Sequence, residues 1–209
     1  MYLPTAFRQK DTTEMLRLIA ETRLATLVTA GAQGLQATHL PLILEAGEGE
    51  HGTLYGHLAR GNPQWRELAA GTPALVIFQG PDAYVSPAFY PAKAEHGKVV
   101  PTWNYIAVHA HGTAETIEDA PRLLDIVTRL TRLHEQDRAQ PWAVSDAPED
   151  YIAGMLRAIV GLRLPIERLE GKWKLSQNRS PEDIEGVRQG LAESPYPGER
   201  QLAERIPKG

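Results

Sequence analysis

The chain has 209 residues, a formal net charge of −4 and no cysteine. The missing cysteine excludes disulfides, thiolate nucleophiles and cysteine-ligated metals, and the acidic balance leaves nucleic-acid contact to a local basic patch at most. Hydrophobic residues make up 42 % and charged residues 23 %, which suits a globular protein with a real core, and a single domain over 1–209 is expected. The opening Met1-Tyr-Leu-Pro-Thr-Ala-Phe-Arg8 lacks the apolar core of a signal peptide, and no apolar run is long enough to span a bilayer. A soluble, cytoplasmic protein without membrane contact is the expectation.

Asp11-Thr-Thr-Glu14 reads as a capping box, followed by Met15, Leu18, Ile19 and Thr22 at helical spacing. Leu24–Thr29 reads as a strand, Gly31 to Gly34 as its turn, and Leu35–Leu44 as the partner strand. The Gly- and Glu-rich stretch 47–52 is a hairpin loop, and Thr53–Leu58 is a third strand. Asn62-Pro63 opens a short helix, with Asn62 as N-cap and Pro63 at the first helical position. Pro73–Gln79 and Ala83–Ser86 continue the sheet. Pro87–Val99 is a long loop, and Pro101–Gly112 is a strand.

Beyond residue 115 the texture turns helical. Asp119-Ala-Pro121 starts an amphipathic helix with Leu123, Val127, Leu130 and His134 on one stripe. Pro148–Val160 is a second helix, with Tyr151, Ile152, Met155, Leu156 and Ile159 as its apolar face and Gly161 as its stop. Leu162, Leu164 and Ile166 alternate like a strand, and Leu169–Leu175 completes the pair. Ser180-Pro-Glu-Asp183 caps a last helix to about Glu193, and Pro195-Tyr-Pro197 leads into a charged tail. Short antiparallel strands come first and helices follow, with no βαβ rhythm. That pattern predicts a β-barrel-based α+β fold with helical additions at about 119–160 and 180–193.

Three stretches carry chemistry. In the strand 101–112, alternation puts Ile106, Val108 and Ala110 on a core face, and Trp103, Tyr105, His109 and His111 on the other. The second face is too polar for a core and too rich in rings to leave in water, so either a dimer contact or a planar ligand would cover it. His57-Leu-Ala-Arg-Gly-Asn-Pro-Gln-Trp65 ends a strand with a cation at a helix start, a pattern that suits an anion as well as a plain cap beside a surface arginine. Gly171-Lys-Trp-Lys-Leu-Ser-Gln-Asn-Arg179 sets lysines around a tryptophan, fitting either a ligand site or an exposed strand end with snorkelling lysines. His109-x-His111 has no carboxylate or cysteine at a recognisable ligand spacing, and no metal is assigned. Nucleophile-elbow, dinucleotide and phosphate-loop motifs are absent.

Taken together, Met1-Tyr-Leu-Pro4, Thr38-His-Leu-Pro-Leu42, Gly56-His-Leu-Ala-Arg-Gly-Asn-Pro-Gln-Trp65, Tyr84-Val-Ser-Pro-Ala-Phe-Tyr-Pro91, Lys98-Val-Val-Pro-Thr-Trp-Asn-Tyr105, Val108-His109 and Lys172-Trp-Lys-Leu-Ser-Gln-Asn-Arg179 resemble the PaiB family of FMN-binding negative transcriptional regulators, in family order over nearly the whole chain. The resemblance implies a split β-barrel of the pyridoxamine-phosphate-oxidase type, FMN as cofactor, and a homodimer with flavin in a groove between subunits. It implies flavin contacts from Thr38, His39, His57, Arg60 and Asn62, with Arg60 and the amides from Asn62 onward on the phosphate. Trp103, Asn104, Tyr105, Lys172, Trp173 and Gln177 would close the pocket from the partner subunit. Pyridoxamine-phosphate oxidases carry Ser, Arg and Lys after the third strand, where this chain has Ala59, Arg60 and Asn62. Two functions follow from the resemblance. One is a regulator acting indirectly or with a partner, without direct operator binding. The other is a flavin-dependent oxidoreductase acting on a small molecule.

Overall fold

The computed structural model describes residues 1–32 and 34–208. In chain order the elements are β1 (Arg8–Gln9), α1 (Thr12–Glu21), β2 (Ala25–Gly31), β3 (Gly34–Leu40), β4 (Ile43–Glu45), β5 (Thr53–Ala59), α2 (Gln64–Ala69), β6 (Pro73–Val85), α3 (Ala92–His96), β7 (Thr102–Thr113), β8 (Glu115–Ile117), α4 (Ala120–Glu135), α5 (Glu149–Arg157), β9 (Ile159–Pro165), β10 (Arg168–Lys174), α6 (Pro181–Ala192) and α7 (Pro197–Ala203). The chain divides into two compact units. Unit 1 is Met1–Asp11, Gln79–Val108 and Glu170–Gly209, and unit 2 is Thr12–Phe78 and His109–Leu169.

Unit 2 is built on antiparallel hairpins. β2 pairs with β3 from Ala25↔Leu40 to Gly31↔Gly34, and on its other edge with residues 74–77 of β6. Gln33, in the expected turn, lies outside the described residues. The expected single strand Leu35–Leu44 is instead two strands, because Pro41 has no N–H to continue a ladder. β4 joins a different sheet, of order β4-β5-β9-β8. Leu54, Leu162 and Leu164 are buried in that sheet. Helix α4 lays Leu123, Ile126 and Leu130 against it, together with Ile117 and Leu156. The expected stripe is thus right at Leu123 and Leu130, while the fully buried residue between them is Ile126.

The second predicted helix ends at Arg157, and Ile159 to Pro165 is strand. β-Branched Ile159 and Val160 favour the sheet, where β9 pairs with β5 from Ala59↔Ile159 to Thr53↔Pro165. Gly161 is therefore no helix stop. It is a point where α4 packs tightly on the sheet: a Cβ there would sit 2.9 Å from Leu123 Cδ2 and 3.1 Å from Ile117 Cβ. Of the face expected on α5, Leu156 is buried, whereas Tyr151 and Met155 are exposed.

Unit 1 orders its strands β1-β10-β7-β6, with Arg8 opposite Lys172 and Gln9 opposite Gly171. The expected loop 87–99 holds a 3-10 turn, Pro87–Phe89, whose Ser86 side chain accepts from the Ala88 N–H, and then α3. Helix α6 begins as the sequence predicts, with the Ser180 hydroxyl accepting from the Asp183 N–H. The expected charged tail folds as α7, because Leu202, Ala203 and Ile206 bury in this unit's core with Val187 and Leu191. Gly190 admits the Phe89 ring, whose Cδ1 lies 2.3 Å from where a Cβ would stand.

Candidate functional site

In unit 2 the expected flavin residues Thr38 and Asn62 meet in one polar network. The Asn62 amide donates to Thr38 Oγ1 at 2.8 Å, and Thr38 donates on to Gln64 Oε1 at 2.6 Å. Asn62 Oδ1 also accepts from the Gln64 N–H at 3.0 Å. Asn62 therefore still caps the start of α2, although Pro63 holds the N-cap position and Gln64 opens the helix. Gln64 is wholly buried. Its amide reaches Thr29 Oγ1 and the carbonyls of Leu27 and Gln36 at 3.2–3.4 Å, and so locks α2 onto the β2–β3 hairpin. His39, the next residue on β3, points to the opposite face, where its Nδ1 lies 3.0 Å from Thr26 Oγ1.

Arg60 and His57 point elsewhere. The Arg60 guanidinium donates to Glu118 at 2.7 Å, to the Arg157 carbonyl at 2.9 Å and to the Ile159 carbonyl at 3.1 Å. It joins the end of β5 to the start of β9, and most of its donors are taken. His57 lines a cavity of about 210 Å³ with Trp142, Tyr151 and Met155 among its other walls. Burial lowers its pKa, so the ring is neutral at pH 7, and its Nδ1 has no hydrogen-bond partner.

In unit 1 the alternation along β7 holds except at Ala107: Ile106 and Val108 are buried and Tyr105 is half-buried, but Ala107 is buried as well. Trp103 is 55 % exposed and meets the 44 % exposed Tyr84 edge to face, ring centroids 6.0 Å apart. In unit 2 the strand continues with Ala110 buried and His109 and His111 half-buried. Asn104 shares the core face and is fully buried, its amide donating to Ser176 Oγ at 2.9 Å. Lys172, also buried, places its ammonium 5.1 Å from the Tyr105 ring centre and 5.5 Å from that of Tyr2, distances suited to cation–π attraction. Gln177 turns inward, its Oε1 accepting from the Leu175 N–H at 2.7 Å. Trp173 is half-buried on β10.

Beside these lies a polar pocket of about 180 Å³ lined by Phe7, Tyr90, Thr102, Asn104, Lys174, Ser176, Asn178 and Arg179. Lys174 donates to Thr102 Oγ1 at 2.7 Å and to the Trp103 carbonyl. Burial, and then the charges of Lys172 and Arg179, lower its pKa. The Arg179 guanidinium sits 5.1 Å from the Tyr90 ring centre. Tyr90 is buried, and its hydroxyl has no partner in hydrogen-bond geometry. Burial raises its pKa, a shift that nearby Arg179 and Ser176 oppose. Lys174, Arg179 and Tyr90 were absent from the expected contacts. The spacing Lys172-x-Lys174 on a strand, with both ammonium groups on one face, was the signal available for the first.

The domain family described as "Putative FMN-binding domain" matches residues 1–168. The chain is 35 % identical over 204 residues to protease synthase and sporulation protein PAI 2 of Bacillus subtilis, covering 98 % of this chain and 95 % of that one. It is 32 % identical over 226 residues to the uncharacterized protein AN0679 of Emericella nidulans, covering 91 % and 90 %. Among solved structures, the FAD and heme binding protein from Mycobacterium smegmatis aligns with a TM-score of 0.60 at 20 % identity, over 85 % of this chain and 78 % of that one. At that identity the likeness speaks for the fold: an α+β split β-barrel of antiparallel sheets with peripheral helices.

Proposed function

This chain belongs to the PaiB family of FMN-binding proteins, and from that premise we propose that it is a homodimeric cytoplasmic regulator that holds FMN and represses through a partner. FMN is the cofactor. It combines a planar ring, a polyhydroxyl chain and a phosphate, and the residues suit each part. Thr38 and Asn62 supply hydroxyl and amide groups, Trp103 and Tyr105 of the partner subunit supply rings, and the Tyr90 hydroxyl is a buried polar atom with no partner in hydrogen-bond geometry. When bound, FMN supplies reversible electron-transfer chemistry. The chain's own work is to bind, orient and exclude water.

We assign flavin contacts to Thr38 and Asn62 of one copy and to Trp103, Tyr105, Lys172, Trp173 and Gln177 of the partner subunit, and leave out His39, which faces Thr26 on the other side of β3. Arg60 is left out because Glu118 and two carbonyls engage it. His57 is left out because it lines the cavity beside α4 and α5. Asn104 acts one step back, by holding Ser176.

The observation that carries the dimer is the exposed Trp103–Tyr84 ring pair, apolar area that a second copy or the flavin would cover. Indirect repression rests on charge. The chain is net −4, and α5 carries Glu149 and Asp150 in its first turn against one basic residue, Arg157. The test is a mass measurement in solution beside a DNA-binding titration across salt concentrations. A dimer with no salt-dependent DNA affinity fits the proposal, whereas a monomer, or tight sequence-specific binding with a steep salt slope, refutes it.

A further inference from the structure

The pocket around Lys174 and Arg179 joins four features. It is cationic, and among the described residues no carboxylate pairs with either charge. The carboxylate whose charge reaches Tyr90, that of Asp183, is buried and accepts from the Ala92 N–H. Neutral polar groups of Thr102, Asn104 and Ser176 stand beside the cations, and the exposed Asn178 forms the rim. The buried Tyr90 hydroxyl has Arg179 and Ser176 beside it but no partner in hydrogen-bond geometry, an arrangement that a ligand or water oxygen would complete. Ser176 holds a left-handed backbone, φ 65°, the single such non-glycine residue among those described. That conformation is costly for a serine and collects at ligand clamps. Here it presents Oγ to the Asn104 amide at the pocket wall.

We propose that this pocket binds a phosphate monoester dianion between Lys174 and Arg179, with the Tyr90 hydroxyl and the Ser176–Asn104 pair as neutral donors. Lys174 has three N–H groups, of which two are used within the chain. The Arg179 fork matches two phosphate oxygens. A cavity of about 180 Å³ has room for a tetrahedral oxyanion with a few waters. The dianion can come from the FMN phosphate or from a free phosphate ester. Deriving it from FMN rests on the flavin reading above; the anion site itself does not.

The test uses the full chain and three variants: Arg179→Gln, Asn178→Glu and Asn178→Gln. Asn178→Glu brings a negative charge to the pocket without removing a cation, and Asn178→Gln controls for its size. Melting is followed with inorganic phosphate against sodium chloride of equal ionic strength. FMN and riboflavin are then titrated by flavin fluorescence. Inorganic phosphate is expected to raise Tm in the parent chain and in Asn178→Gln, and to lose that effect in the other two. If the FMN phosphate is the occupant, Asn178→Glu weakens FMN at least tenfold and leaves riboflavin unchanged. If a free ester is the occupant, phosphate protection disappears while the FMN-to-riboflavin ratio holds. If phosphate protects while neither flavin binds, the anion site stands and the flavin reading falls. No phosphate protection in the parent chain, together with an unchanged FMN-to-riboflavin ratio in Asn178→Glu and Arg179→Gln, overturns the proposal.

Discussion

Replacing Gln64 by leucine keeps the side-chain volume and removes the amide that ties α2 to the β2–β3 hairpin. The Thr38 hydroxyl would keep its bond from Asn62 and lose its acceptor, the short 2.6 Å contact. A buried donor left unsatisfied costs about 1–3 kcal/mol, and Thr38 is half-buried, so the lower half of that range applies. The amide nitrogen has two hydrogens for three acceptors at 3.2–3.4 Å. Those long bonds together add about 1 kcal/mol. The sum is about 2–3 kcal/mol, which in a chain of this length lowers Tm by roughly 4–12 °C. Urea unfolding followed by tryptophan fluorescence and by circular dichroism measures the change and shows whether the two probes coincide. A loss below about 0.5 kcal/mol, the level of a neutral surface change, would refute the view that Gln64 is the hub of this network.

Three further outcomes follow from named contacts. Glu48 accepts from the Tyr55 hydroxyl and from Arg163 at 2.6 Å, and these bonds lower its pKa; the stability it adds is therefore full above the ordinary glutamate range and is lost as pH falls through the depressed folded value. Glu48→Gln should cost stability at pH 7, and the gap to the parent chain should close below about pH 4; a gap that stays constant down to pH 3 contradicts this. Gly161→Ala should destabilise by about 1–3 kcal/mol through overpacking against Leu123 and Ile117, read as a shift in urea midpoint; an unchanged midpoint would mean α4 yields freely. Arg60→Ala should lose about 1–2 kcal/mol of stability and leave the FMN-to-riboflavin affinity ratio unaltered, whereas a selective loss of FMN would return Arg60 to the phosphate.

Local signals in the sequence marked the elements whose causes are local. Ser180 caps α6 and Asp119 caps α4 through their own side chains, and the split of β7 into a buried and a wetter face follows from its period of two. Tertiary contacts decided the misread places. Gly161 looks like a helix stop until Leu123 is seen packed over it. Residues 197–203 look like tail because the core that receives Leu202 is assembled from distant segments. The candidate site divides in the same way. Thr38 and Asn62 share a hydrogen bond. Arg60 reads as a free cation because its partners, Glu118, Arg157 and Ile159, lie some 58 to 99 residues away in the chain. Tyr90 gave no signal of its own, since nothing local shows that its hydroxyl is buried without a partner.

Titrating flavin-free protein with FMN, followed by flavin fluorescence and by Tm, tests the central claim most directly. Saturable binding of one FMN per subunit, with a Tm that rises with FMN concentration as linkage requires, is the predicted result. A chain that neither quenches the flavin nor gains Tm at saturating FMN would contradict it.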